Sequence, residues 1–115
     1  MASETGLDLL HEIAATLAAR GPIEHSTMFG RPGLRTGKKI VMFLGADDRL
    51  MLKLPLARVN ALVEDGLVDR VTIGTRTMRE WVEIPSEDDP DVTFENWMAF
   101  AHESFDYVRQ LAAEK

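Results

Sequence analysis

Three polar residues near the end of the sequence are of the types that form a hydrolytic triad: His102, Ser104 and Asp106. Apolar residues around them recur at helical spacing, and two residues along a helix correspond to a rotation of about 200°. We therefore expect Ser104 to point away from the other two, which excludes a triad. His102 and Asp106 are four residues apart on one helix face. They are expected to form a surface hydrogen bond or ion pair, because two ligands alone make a poor metal site.

The other histidines offer no better catalytic arrangement. His25 and Ser26 are neighbours at the start of an extended segment, where consecutive side chains point to opposite faces, so we do not expect a nucleophile and its base. His11 lies in the first predicted helix at no ligand spacing from another residue. The chain contains no cysteine, which removes disulfides, thiolate metal sites and cysteine nucleophiles. We predict no catalytic, cofactor-binding or metal-binding residue and no enzymatic activity.

Gly30, Gly33 and Gly37 are close enough in sequence to suggest a phosphate-binding loop. A hairpin rather than a helix is predicted to follow them, and the G-x-x-x-x-G-K-[ST] pattern is absent. Tight turns or a bulged strand explain these glycines better.

The charges are unevenly distributed along a chain whose formal net charge is −6. Residues 80 to 95 include seven acidic residues and no base, which indicates a solvated acidic loop rather than a cation site. Two hairpins carry the bases, and these bases would form one basic surface if both hairpins lay at the same end of the sheet. The bases of this predicted basic surface are Arg31, Arg35, Lys38, Lys39, Arg70, Arg76 and Arg79.

Two kinds of partner fit such a surface, a nucleic acid or an acidic protein. The negative net charge, the lack of aromatic residues among these bases and the absence of a helix-turn-helix pattern disfavour nucleic acid. An acidic protein would use the same residues equally well.

The elements that position these residues follow from periodicity. We predict one domain over residues 1–115, with a helix over 7–18 capped by Ser3 or Thr5, and a helix between Pro55 and Gly66. Three strands separate these helices, a hairpin around Gly74 follows, and a long aromatic helix ends the chain. The order α-β-β-β-α-β-β-α predicts a two-layer α+β fold, in which helices cover one face of a five-stranded antiparallel sheet.

The sheet face without helices is the second candidate surface. Alternation along the strands predicts that Val41, Phe43, Met51 and Trp81 form an exposed apolar patch there, while Met78, Val82 and Ile84 face the helices. Such a patch would serve a homodimer or a protein partner. Alternatively, these side chains are scattered, or are shielded by the stems of Arg49 and Lys53.

An ordered set of motifs gives the chain a family resemblance. The set consists of M-F-G-x-x-G-L at 28–34, G-K-K at 37–39, D-D-R-L-M-L-K-L at 47–54, T-M-R-E-W-V-E-I-P at 77–85 and the helical Trp97. Together they resemble the N-terminal domain of the TfoX/Sxy family, here as a single-domain member without the C-terminal domain. The resemblance implies a helix-flanked antiparallel sheet, as in secretion chaperones and YjbR-like proteins, and a link to regulators of DNA-uptake competence. It implies no known catalytic residues.

The sequence therefore predicts a non-enzymatic binding or regulatory module that resembles the TfoX N-terminal domain, with a link to transcription or competence. The alternative is an adaptor for a small ligand or a partner protein that does not contact nucleic acid. No apolar run is long enough to span a membrane, and the first twenty residues do not form a secretory signal, so a cytoplasmic protein is expected.

Overall fold

A computed structural model describes residues 3–113. A single 3₁₀ turn, Ala46–Asp48, lies between the third and fourth strands. The elements in chain order are α1 (Glu4–Leu17), β1 (Glu24–Met28), β2 (Arg31–Thr36), β3 (Lys39–Leu44), β4 (Leu50–Lys53), α2 (Leu56–Glu64), β5 (Asp69–Ile73), β6 (Arg76–Ile84) and α3 (Pro90–Ala113).

The strands form one antiparallel sheet in the order β1-β2-β3-β4-β6-β5. The predicted α+β class, with an antiparallel sheet and three α-helices, is confirmed, but the predicted five strands are wrong because the sheet has six. The missing strand is β1, whose residues E-H-S-T-M lack an alternating apolar pattern and lie at the sheet edge. Phe29 and Gly30 connect it to β2 with φ angles of 54° and 73°.

The helix ends follow the signals in the sequence. The Ser3 side chain accepts a hydrogen bond from the Gly6 amide at 3.0 Å and caps α1. Pro55 precedes the first residue of α2, and Gly66, with a φ of 76°, follows its end. The three predicted helices are thus present, each within a few residues of its predicted bounds. Within residues 3–113, no helix has both the length and the apolar character required to cross a bilayer.

The main core lies between the helices and one face of the sheet. α1 contributes Leu10 and Ile13, while α3 contributes Trp97 and Phe105, all of them at most 1 % exposed. Two ion pairs hold the helices at the surface: Arg20 of the loop after α1 with Asp106 at 2.7 Å, and Arg58 of α2 with Glu103 at 2.8 Å. The hydrogen bond to Glu103 raises the pKa of Arg58.

A β-bulge in β3 changes which side chains face this core. Leu34 pairs with Met42 and Arg35 pairs with Ile40, so Val41 is an extra residue in β3. Val41 and Met42 consequently both belong to the helix-side core and are fully buried. The prediction that Val41 lies on the open face is therefore wrong, because strict alternation does not hold through a bulge.

A hydrogen bond from α3 reaches the backbone of β3 at the bulge. Ser104 is fully buried, and its hydroxyl donates to the Val41 carbonyl at 3.1 Å. The Ser104 side chain therefore points into the core, where its hydroxyl links α3 to β3.

Replacing this serine should destabilise the protein. We expect Ser104→Ala to lower the free energy of unfolding by about 1–3 kcal/mol, because the buried Val41 carbonyl would lose the hydrogen bond from this hydroxyl. Thr16→Ala is the matched control, since its hydroxyl donates to the Glu12 carbonyl at 2.9 Å in an exposed position where water can replace it. Urea unfolding measures both variants. Equal losses in the two variants would contradict the proposed role of Ser104.

Candidate binding groove on the open sheet face

The sheet face opposite the helices carries a second apolar cluster. Phe43, Val71 and Trp81 are buried there, and no helix contributes to the cluster. The rings of Phe43 and Trp81 lie 5.4 Å apart, and the Lys53 ammonium lies 5.7 Å from the Trp81 ring centroid. Four half-buried side chains complete the cluster: Met28, Ile40, Met51 and Met78.

These contacts correct the predicted exposed patch. Phe43, Met51 and Trp81 do share the open face, but Phe43 is only 1 % exposed and Trp81 only 6 %. Neighbouring methionines and the Lys53 side chain cover them, as the alternative of shielded side chains anticipated. Arg49, the other side chain expected to shield the patch, forms ion pairs with Glu83 and Asp69.

Met78 also differs from its predicted position. Arg70 pairs with Val82, whereas the next residue, Val71, pairs with Met78, so β6 accommodates three additional residues at this point. The shift changes the alternation of β6, and Met78 joins the open-face cluster instead of the helix-side core.

A groove of about 750 Å³ lies above this cluster. The turn between β1 and β2 contributes Phe29, and β4 contributes Lys53. The remaining side chains come mainly from the β5–β6 hairpin, chiefly Ile73, Arg76, Arg79 and Trp81. We call this feature the open-face groove. Its residues come from three separate parts of the chain, and they combine aromatic and aliphatic surface with basic groups.

The charges of the groove are only partly compensated. Glu80 forms an ion pair with Lys53 at 3.4 Å and accepts a hydrogen bond from the Tyr107 hydroxyl at 3.1 Å. Arg76 and Arg79 are exposed and form no ion pair with any carboxylate of residues 3–113. The groove therefore presents two guanidinium groups that are available to an anion.

The other predicted bases do not join the groove. Antiparallel pairing places the Gly37–Lys38 turn and the Gly74–Thr75 turn at the same end of the sheet, as the predicted basic surface requires. Of the seven bases, however, only Arg76 and Arg79 line the groove.

The remaining five bases are elsewhere. Arg35 pairs with Glu24 at 3.6 Å, and Arg70 donates to the Asn60 side chain at 2.9 Å. Arg31 begins β2 at the opposite end of the sheet, while Lys38 and Lys39 remain at the β2–β3 turn.

Phe29 and Ile73 were not identified as site residues from the sequence, and Lys53 was named only as a shield of the open face. Lys53 alternates with buried leucines in β4, a pattern that indicates a position on the open face. Phe29 occupies the first position of a two-residue turn, where asparagine is favoured. A phenylalanine before glycine in such a turn was the sequence feature that could have indicated a functional residue.

The residues considered for catalysis are separated or occupied. Asp106 pairs with Arg20 rather than with His102, so the predicted contact between His102 and Asp106 is not formed. His11 and His25 come together, with ring centroids 4.6 Å apart, although nothing in their spacing predicts it. In the described part of the chain, no three histidine or acidic side chains are grouped so as to hold a metal ion.

Comparison of the chain with protein-family models, curated proteins and solved structures finds no match.

Proposed function

We propose that this chain is a non-enzymatic binding module with a regulatory role, and that the open-face groove is its ligand site. The observation that carries the proposal is that two uncompensated arginines, Arg76 and Arg79, line the same groove as exposed apolar side chains of Phe29 and Ile73. Binding sites for small ligands commonly combine an apolar wall with a few polar groups in a volume of about 300–1,000 Å³. The groove has this composition and this size.

The regulatory part of the proposal is supported by the motifs that resemble the TfoX N-terminal domain. An antiparallel sheet with three helices is compatible with the fold that this resemblance implies. A cytoplasmic location is compatible with the composition, because the 115 residues include no cysteine and so need no oxidising compartment.

The non-enzymatic part is supported by the roles of the residues that could have been catalytic. Ser104 is used inside the core by the Val41 carbonyl, and Asp106 is held by Arg20. A nucleophile needs a base within hydrogen-bonding reach, and these partners keep the two residues from that role.

The choice of ligand class follows from the charges. Five of the seven bases lie outside the groove, two of them with partners, and a chain of net charge −6 repels a nucleic acid at long range. A homodimer through the open face also has less support than the sequence suggested, because Phe43 and Trp81 are already buried within one chain. We therefore favour the adaptor alternative, in which the groove binds a ligand other than nucleic acid.

Fragment screening by NMR tests whether the groove is the ligand site. We expect a chemically mixed fragment library to shift the Trp81 indole signal and the amide signals of 76–81 more than signals elsewhere, because apolar pockets with polar groups concentrate fragment binding. Arg76→Gln with Arg79→Gln should remove the hits that carry an anionic group. Hits concentrated on another surface would refute the proposed site.

A duplex DNA titration is the second arm of this experiment. At about 50 mM salt we expect no saturable binding, even though low salt favours contacts to phosphate. Saturable binding that is weaker at about 200 mM salt, and that is lost in Lys38→Glu with Lys39→Glu, would instead assign the protein to nucleic acid.

A further inference from the structure

Phe29 has a backbone conformation that is costly for its residue type. Its φ of 54° lies in the left-handed region, which bulky residues rarely adopt and which costs about 1–3 kcal/mol. The following residue, Gly30, also has a positive φ, so the pair forms a turn for which Asn-Gly is the favoured sequence. Phenylalanine at this position therefore disfavours the turn that it occupies.

Burial of the Phe29 side chain does not compensate for the cost of this backbone conformation. The Phe29 side chain is 62 % exposed and makes one described ring contact, edge-on to Phe43 with centroids 6.0 Å apart. It lines the groove together with Ile73, an aliphatic side chain that is 39 % exposed. Strained residues are concentrated at sites that clamp ligands, and an exposed aromatic ring at the edge of a groove fits that role.

Arg76 and Arg79 supply the second, independent observation. Among residues 3–113, Glu80 is the only carboxylate that lines the groove, and it is already engaged by Lys53 and by the Tyr107 hydroxyl. Within residues 3–113 the two arginines therefore have no acidic partner to displace, and their planar guanidinium groups match the geometry of a carboxylate or phosphate.

From these two observations we infer that the open-face groove binds a small amphipathic organic anion. An aromatic or acyl body lies between Phe29 and the Trp81 side of the groove, and its anionic group pairs with Arg76 and Arg79. The volume of about 750 Å³ suits one ligand of drug size. This inference rests on the proposed function and adds the chemical class of the ligand.

A second groove provides an internal contrast. It measures about 340 Å³ and lies between α3 and the segment after β6, with Leu67 and Phe100 as apolar residues. Its charged lining consists of Glu87 and Glu95, so it repels the anion that the open-face groove attracts.

The test uses 8-anilinonaphthalene-1-sulfonate, a fluorescent arene with one anionic group, titrated into the full chain. We expect saturable binding that decanoate displaces and that decyltrimethylammonium, a cation with an alkyl chain of the same carbon number, does not. Arg76→Gln with Arg79→Gln should weaken binding at least about tenfold, because two charge-assisted hydrogen bonds are lost. Lys38→Gln with Lys39→Gln changes the net charge equally outside the groove and should leave the affinity unchanged.

Phe29→Asn separates a ligand-binding role from a structural one. Asparagine tolerates the left-handed region, so the variant should melt at the temperature of the original chain or above it. Its affinity for the dye should nevertheless fall about fivefold, because one side of the clamp is removed.

Several results would overturn the inference. These are equal displacement of the dye by decanoate and decyltrimethylammonium, unchanged affinity in the double arginine variant, or stronger displacement by a short acidic peptide than by decanoate. If neutral fragments still occupy the groove in the NMR screen while the anions do not, the ligand class is wrong and the proposed site stands. If no fragment binds in the groove, the proposed function fails as well.

Discussion

Trp97→Ala should lower the free energy of unfolding by about 3–5 kcal/mol, a large part of the total stability of about 5–15 kcal/mol expected for a domain of this size. The Trp97 side chain is fully buried in the main core, and it is among the largest of the fully buried side chains. Truncation removes apolar contacts with the sheet and leaves a cavity that the surrounding helices cannot fill completely. Guanidinium unfolding followed by circular dichroism measures the loss.

Trp97→Phe distinguishes packing from hydrogen bonding at this position. The indole Nε1 donates to the Pro85 carbonyl at 3.2 Å, and phenylalanine keeps most of the ring but not this donor. We expect a smaller loss of about 1–2 kcal/mol. A Trp97→Ala variant as stable as Trp97→Phe would show that the ring volume does not stabilise the core.

Phe43→Ala is expected to cost about 3 kcal/mol, although no helix covers the open face on which Phe43 lies. The Phe43 ring is 1 % exposed and packs 5.4 Å from the ring of Trp81. A truncation at an ordinary surface position usually changes stability by less than about 0.5 kcal/mol. Urea unfolding of Phe43→Ala therefore measures whether the open-face cluster acts as a second core.

Phe29→Asn provides the comparison, because it removes a ring that is 62 % exposed from the edge of the same cluster. Its stability should equal or exceed that of the original chain, because asparagine relieves the strain of the positive φ at this position. Similar, small losses for Phe43 and Phe29 would mean that the open-face cluster contributes little to folding.

The helices were predictable because their signals are local. Ser3, Pro55 and Gly66 each lie at a helix end, and the apolar spacing of α1 and α3 identifies their buried faces. β1 was not predictable from alternation, since Met28 is its only apolar residue. The sheet face on which Val41 lies was not predictable either. Every residue from Ile40 to Leu44 is apolar, so the polarity pattern is the same with or without a bulge.

The groove was harder to predict than the fold because its residues are distant in sequence. Phe29, Lys53 and Arg76 meet only after six strands have paired in the observed order. The sequence did identify Arg76, Arg79 and Trp81, but it grouped the two arginines with five bases that lie elsewhere. Pairing partners such as Glu24 for Arg35 depend on strand register, which single-sequence reasoning does not provide.

The position of α3 at the end of the element order has a consequence for how the protein is made. All six strands are synthesised before the helix that carries Trp97, Ser104 and Phe105. Until α3 has been synthesised, the helix-side face of the sheet has only α1 and α2 to cover it, and the Val41 carbonyl has no hydroxyl partner. We therefore expect the leucine-rich strands of the nascent chain to be prone to aggregation until α3 docks on them.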